Sequence, residues 1–192
     1  MRKLIISEFL SLDGVFEGPG PDDPFVKAGW TMPYANDEFM KFKADELFAA
    51  DALLLGRITY EGFAKAWPNR KDETGFADKM NNMKKYVAST TLNYLDWKNS
   101  QVLGSDLVQE ITNLKQEPGK DILVFGSGTL SQVLIKSNLV DEYRFLVYPV
   151  VLGEGKKFFK EGISTQLNLE EIWPFKTGIV LLRYSWSQNN VQ

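Results

Sequence analysis

The sequence predicts an α/β fold: a central mixed, mostly parallel sheet with helices on both faces and antiparallel strands at its C-terminal edge. Three observations lead there. Short apolar runs alternate with helical patterns up to about residue 137, which implies right-handed crossovers between parallel strands. Beyond that point strand patterns dominate and follow one another across short connections, as antiparallel strands do. Three of the earlier strands end in glycine or hydroxyl residues, and two of these run directly into a helix start.

The elements follow in order. Lys3 to Phe9 (KLIISEF) reads as a strand and SLDGVFEGPGPDDP as a Gly/Pro-rich loop. Asn36 or Asp37 suits the cap of a helix through EFMKFKADELFAA, with Phe39, Phe42, Leu47, Met40 and Phe48 toward its inner side. Ala52 to Leu55 is a short apolar strand, Thr59 to Ala66 a short helix, WPNRKDETG a polar loop and Phe76 to Met83 a helical turn or two. Strands are expected at Lys85 to Ser89 and Gln101 to Leu103. Ser105 or Asp106 caps a helix LVQEITNLKQE that Pro118-Gly119 stops. Asp121 to Phe125 is strongly apolar, and GSGT opens a helix to about Lys136. Glu142 to Val147 alternates as a half-exposed strand would. Asn168 to Trp173 and Ile179 to Trp186 close the sheet across a turn at Lys176-Thr177-Gly178. No repeat, low-complexity run or linker divides the 192 residues, so one domain, 1–192, is expected.

Composition narrows the chemistry. The net charge of −3 offers no broad cationic surface for nucleic acid or anionic membrane. There is no Cys and no His. That removes disulfides, Cys/His zinc sites, thiol nucleophiles and Ser-His-Asp chemistry together, and no metal is expected. Proton transfer is left to Asp, Glu, Lys, Tyr or water, and a borrowed cofactor is a natural route to harder chemistry. MRKLIISEFLSLDG does not read as a signal peptide, and no apolar run reaches membrane-spanning length. A soluble, cytoplasmic protein is the expectation.

Two strand-to-helix corners carry the candidate site, since ligands of open α/β sheets bind beyond the carboxyl ends of strands. In LLLGRITYEGF, Gly56 permits a tight turn, Thr59 lies at the helix start and Arg57 adds a planar bidentate donor for phosphate. The same residues also suit a turn, a simple cap and a solvated charge. In ILVFGSGTLSQVL, Gly126 and Gly128 flank Ser127, and Thr129 follows at a helix start. Backbone there can approach a pyrophosphate, or merely turn tightly. The spacing is neither GxGxxG nor a P-loop. Ser89, Thr90 and Thr91 end a third strand, where hydroxyls either meet a phosphate or cap their own turn, and Asn99 and Ser100 share that ambiguity. Together the three strand ends suit one extended, doubly phosphorylated ligand.

SLDG at 11–14, DALLLGRITYEGF at 51–63, VAST at 87–90, LVFGSGTL at 123–130 and DEYRFLVYPVVLGEGKKFF at 141–159 resemble the dihydrofolate reductase-like superfamily. The branch is that of the C-terminal reductase domain of riboflavin biosynthesis, and the resemblance covers nearly the whole chain. It implies a three-layer fold with about eight strands, and NADPH along the strand ends. Gly56, Arg57 and Thr59 then match the phosphate corner, with Ser89 and Thr90 near the adenosine 2′-phosphate. Phe125, Gly126, Ser127, Gly128, Thr129 and Leu130 hold the pyrophosphate and the nicotinamide-side ribose. Leu12, Asp13 and Gly14 border the nicotinamide and substrate pocket.

Asp13 is the nearest acid, able to relay a proton or simply to serve the turn before Gly14. Trp30 and Tyr34 suit stacking on a flat substrate or packing of their loop. Glu154, between two glycines, suits a pocket acid or a solvated turn. Asp37 and Glu38 occupy the region where folate reductases carry an acid, and equally suit a helix start. The segment FMKFKADELFAADALLLGR lacks the arginine-containing pattern of riboflavin-pathway reductases. The expected activity is hydride transfer from NADPH to a small heterocyclic or carbonyl substrate, by a homodimer. The alternative is an NADP(H)-binding protein without turnover.

Overall fold

The structure, a computed structural model, describes residues 1–104 and 106–187. Eight strands form one mixed sheet: β1 (Leu4–Ser11), β2 (Ala50–Gly56), β3 (Lys84–Ala88), β4 (Ser100–Leu103), β5 (Asp121–Phe125), β6 (Glu142–Tyr148), β7 (Leu167–Pro174) and β8 (Val180–Trp186). Their order is β4-β3-β2-β5-β1-β6-β8-β7. The helices are α1 (Asp37–Ala49), α2 (Arg57–Ala66), α3 (Phe76–Asn82), α4 (Leu107–Gln116) and α5 (Gly128–Lys136), with a 3-10 turn at Met32–Tyr34. No helix among the described residues is long and apolar enough to cross a membrane. The expected α/β class, with a mostly parallel sheet and antiparallel C-terminal strands, is what the chain forms.

The chain makes two compact units. The first comprises Met1–Ile6 and Lys43–Asp141. Here β3 pairs in parallel with β4 and β2, and β2 with β5. Leu53, Leu54 and Leu55 are each fully buried, as the run LLL requires of a strand covered on both faces. Leu47 from α1, Tyr60 from α2, Met80 from α3 and Trp97 pack with Leu53, Leu55, Val87 and Leu123 in its core. Lys85 is buried in β3. Its ammonium donates to the carbonyls of Asn81, Met83 and Lys98 at 2.9, 2.9 and 3.0 Å, which uses all three of its protons. It also lies 4.2 Å from the centre of the Trp97 ring, and burial pushes its pKa down to about 8.

The second unit comprises Ser7–Phe42 and the described residues from Glu142 onward. β6 and β7 each pair antiparallel with β8. Phe9, Trp30, Tyr34 and Phe39 surround Tyr148 with ring centroids 5.2 to 6.1 Å away, all four edge-on. Val15, Leu146, Leu152, Phe175 and Leu181 complete this core.

Three expectations need correction. β6 is not half-exposed: Glu142, Tyr143, Phe145, Leu146 and Tyr148 are all buried, because Trp30, Phe39 and Phe175 pack over Leu146 and Tyr148 on the side that alternation left for water. Met40 and Phe48 of α1 are exposed, while Phe39 and Leu47 are buried, so the inner face is narrower than the apolar residues suggest. α2 begins at Arg57, two residues before the expected start. Asn36 does cap α1, accepting from the Phe39 N–H at 2.9 Å. Of the two expected caps of α4, Asp106 accepts from the Gln109 N–H at 3.0 Å, and Ser105 lies outside the described residues.

Candidate functional site: two helix starts and a braced loop

The first unit brings the ends of β2 and β5 together through one side chain. Ser127 Oγ accepts from the Gly56 N–H at 2.6 Å and donates to Thr59 Oγ1 at 2.8 Å. Both glycines are demanded by closeness. A Cβ at Gly56 would sit 2.9 Å from Ser127 Oγ, and one at Gly126 would sit 2.9 Å from Thr59 Oγ1. Gly56 is extended (φ −80°, ψ 163°), so it serves close approach rather than the unusual turn expected of it. Gly126 (φ 62°) and Ser127 (φ 66°) are both left-handed, a conformation rare for serine. Thr59 is the third residue of α2 instead of its cap. Its hydroxyl accepts from Ser127, so its own proton is available to another acceptor.

The five helix starts fall into two kinds. α1 has the Asn36 cap with Asp37 and Glu38 in its first turn. At α3, Asp72 accepts from the N–H groups of Phe76 and Ala77 at 3.0 and 2.6 Å, and the Thr74 hydroxyl first, then these amides, hold its pKa down to about 2. α4 has Asp106 and Glu110. By contrast α2 and α5 have no side-chain cap and no acid in the first turn. The amides of 57–59 and of 128–130 precede the first intrahelical bonds; in α5 the first runs from Ser131 N–H to the Ser127 carbonyl at 2.9 Å. Two positive helix ends are therefore joined at Gly56–Ser127 without a side-chain anion in either first turn, an arrangement that favours an added anion.

Arg57 is half-exposed, and its Nη1 lies 3.1 and 3.0 Å from the two carboxylate oxygens of Glu61. Glu61 lies one turn onward and was not singled out from the sequence; the i,i+4 spacing to Arg57 was the available signal. Ser89 Oγ accepts from the N–H groups of Thr91 and Leu92 at 3.1 and 3.0 Å, so it caps its own turn, and Thr90 is exposed. Phe125 has the Lys43 ammonium 4.6 Å from its ring centre. Gly128 and Leu130 are buried and Thr129 is exposed, so Gly128 and Leu130 present main-chain amides more than side chains.

In the second unit the SLDG loop is braced. Ser11 Oγ donates to Asp13 Oδ1 at 2.7 Å and accepts from the Val15 N–H at 2.9 Å. Asp13 also accepts from Leu152 N–H at 3.0 Å and Gly153 N–H at 2.8 Å. The Ser11 bond first, then the Leu152 amide, hold its pKa down to about 2. Asp13 is thus held in the ionised form with both oxygens engaged, the arrangement of a loop brace. Gly14 takes φ 79° with open space where a Cβ would stand, and the Leu12 side chain is exposed. Trp30 is 8 % exposed, donates to the Glu17 carbonyl at 2.8 Å and meets Tyr148 edge-on, so it packs the loop and offers no free face. Glu154 is solvated and paired with Lys27 at 3.1 Å instead of serving as a pocket acid. Glu38 accepts from the Lys176 N–H at 3.1 Å, and Asp37 is an exposed helix-start charge.

The sheet order and the paired open helix starts define an α/β protein of the dihydrofolate reductase-like class. The chain belongs to the RibD C-terminal domain family, whose model matches residues 2–181. The uncharacterised protein YyaP of Bacillus subtilis is 31 % identical over 191 residues, 97 % of this chain and 96 % of its own. Among solved structures, a protein of Shewanella sp. PV-4 assigned to riboflavin biosynthesis superposes with a TM-score of 0.70 at 18 % identity, over 97 % of this chain and 99 % of that one. Dihydrofolate reductase from Enterococcus faecalis, complexed with NADP(H), superposes with a TM-score of 0.59 at 16 % identity, over 97 % of each chain. These structural likenesses establish the fold, and the family is reductase-like.

Proposed function

We propose that this chain is an NADPH-dependent reductase acting on a small heterocyclic or carbonyl substrate. The observation that carries the reading is the junction at Gly56, Thr59 and Ser127, where two uncapped helix starts share one hydrogen-bonded corner. The residues suit a dinucleotide: Gly56 and Gly126 let the two strand ends close on Ser127 and Thr59, which sets the two helix starts side by side. The amides of 57–59 and 128–130 would bind phosphoryl oxygens, with the Thr59 hydroxyl as a further donor. That hydroxyl ends a chain running from the Gly56 amide through Ser127, which polarises it outward. Arg57 would leave Glu61 for the 2′-phosphate, which offers it charge-assisted bonds in a bidentate geometry. Thr90 and the Ser89 turn would flank that phosphate, and Phe125 would border the ribose. The nicotinamide supplies a hydride when bound, while the protein positions and compensates charge.

The braced Asp13 favours a second reading, cofactor binding without turnover, since the Ser11, Leu152 and Gly153 bonds hold its carboxylate in the ionised form. If turnover occurs, a nearby acid or water supplies the proton. Calorimetric titration with NADPH tests the shared part. Loss of the reduced cofactor's near-ultraviolet absorbance on adding pterins, pyrimidines or simple carbonyls separates the two readings. Absence of NADPH binding contradicts both. The reading takes the chain as one functional domain, a cytoplasmic homodimer. Exposed Val151, and Leu169 and Ile172 on the edge strand β7, support self-association, which sedimentation velocity tests.

A further inference from the structure

At the opposite ends of the parallel strands the first unit holds a cavity of about 320 Å³, lined by Arg2, Asp51, Lys79, Asn82, Lys84 and neighbouring backbone. Asp51 lies five residues before Gly56, so about 17 Å of strand separates this cavity from the corner described above. In a chain of net charge −3 it gathers three cations against one acid. That acid is already engaged. Asp51 pairs with Arg2 and accepts from the Lys120 N–H at 2.9 Å, and the absence of a Cβ at Gly119 gives the pair its seat. Arg2, whose side chain is 3 % exposed, is further fixed by its Nε bond to the Lys120 carbonyl at 2.7 Å.

Lys79 and Lys84 therefore remain without a matching negative charge in the cavity wall. Lys79 gives one proton to the Ala50 carbonyl at 2.7 Å and keeps two donors. Burial, then the neighbouring Lys120 charge, push its pKa down. The crowding is of the kind an added anion relieves. Asn82 spends its carboxamide oxygen on Lys98 at 2.8 Å, which leaves the NH2 end as its donor.

We propose that this cavity is a second anion site, one that binds a phosphoryl group as free phosphate or as a small phosphomonoester. The volume is roughly ten times a water's share of liquid, enough for the ester's organic part. The site is independent of the reductase reading and survives its failure.

Amide chemical shifts of the full chain, followed during titration with inorganic phosphate, glucose 6-phosphate, glucose and chloride at constant ionic strength, test it. Saturable shifts centred on Lys79 and on residues 82–84 are expected with the two phosphates and not with glucose or chloride. The tighter of the two phosphates tells whether free phosphate or an ester is the occupant. Lys84 is exposed, so Lys84→Glu should fold and weaken binding at least about tenfold, while Lys84→Arg stays within about threefold. Shifts confined to 57–59 and 126–130, equal shifts with chloride, or undiminished binding by Lys84→Glu overturn the site.

Discussion

The corner at Gly56 and Ser127 and the loop at Asp13 are built from similar residues to opposite ends. Each joins glycine, a hydroxyl and a charged side chain at the end of a strand. At the corner the donors outnumber the acceptors: among the described residues neither helix start has a side-chain cap or an acid in its first turn, and the Glu61 carboxylate is engaged with Arg57. At the loop the acceptors are filled, because Ser11, Leu152 and Gly153 take up Asp13. An arrangement with unused donors is costly unless water or a ligand meets them; one with every group matched stabilises the fold and asks for nothing further. The proposed function therefore rests on the corner, and the loop is read as support.

Substitutions can break this contrast. The largest effect on NADPH affinity is expected from Gly126→Ala, which puts a methyl against Thr59 Oγ1 in a left-handed backbone. Strain of about 1–2 kcal/mol adds to the clash, so a loss of roughly thirtyfold or more is expected by calorimetry. Gly14→Ala is its control: φ is also positive, but the space is open, so stability falls and affinity holds. Ser127→Ala removes the acceptor for Gly56 N–H and the donor that orients Thr59, and should weaken NADPH about tenfold. Glu61→Gln frees Arg57 and should raise the NADPH over NADH preference by about two- to threefold, with at most about 0.5 kcal/mol lost from the helix. An unchanged preference would place Arg57 outside the site.

Asp13→Asn should leave affinity untouched and cost about 1–2 kcal/mol of stability, read by denaturant unfolding. Its pH dependence has a definite sign. The folded pKa is about 2 against an ordinary 3.8, so the contribution is present above about pH 4 and is lost as pH falls through 2. The stability gap between variant and parent should close over that window. A change in NADPH affinity larger than threefold would undo the distinction between the two regions.

The corner was legible because its ingredients are local. Gly-Arg-x-Thr after LLL and Gly-Ser-Gly-Thr after ILVF mark two helix starts without acids, and periodicity alone placed the strands ahead of them. The bond that joins the corners was not legible, since Ser127 and Thr59 are 68 residues apart. The role of Asp13 was hidden for the same reason, its amide donors lying 139 and 140 residues away. Trp30 was ambiguous because its partner Tyr148 comes from a distant strand, and β6 was misread because burial of its second side depends on the aromatic residues that cover Leu146 and Tyr148. Lys85 gave no warning at all, as a lysine in KKYVAS reads as solvent-facing until three carbonyls are seen to converge on it.

The central claim is that the joined starts of α2 and α5 receive the phosphates of a dinucleotide. Amide shifts of the parent chain during NADPH titration test it most directly. The account predicts saturation with the largest changes at 57–59 and 126–130, both reduced in Ser127→Ala. Saturation with those amides unmoved, or no saturation by a folded protein, contradicts it.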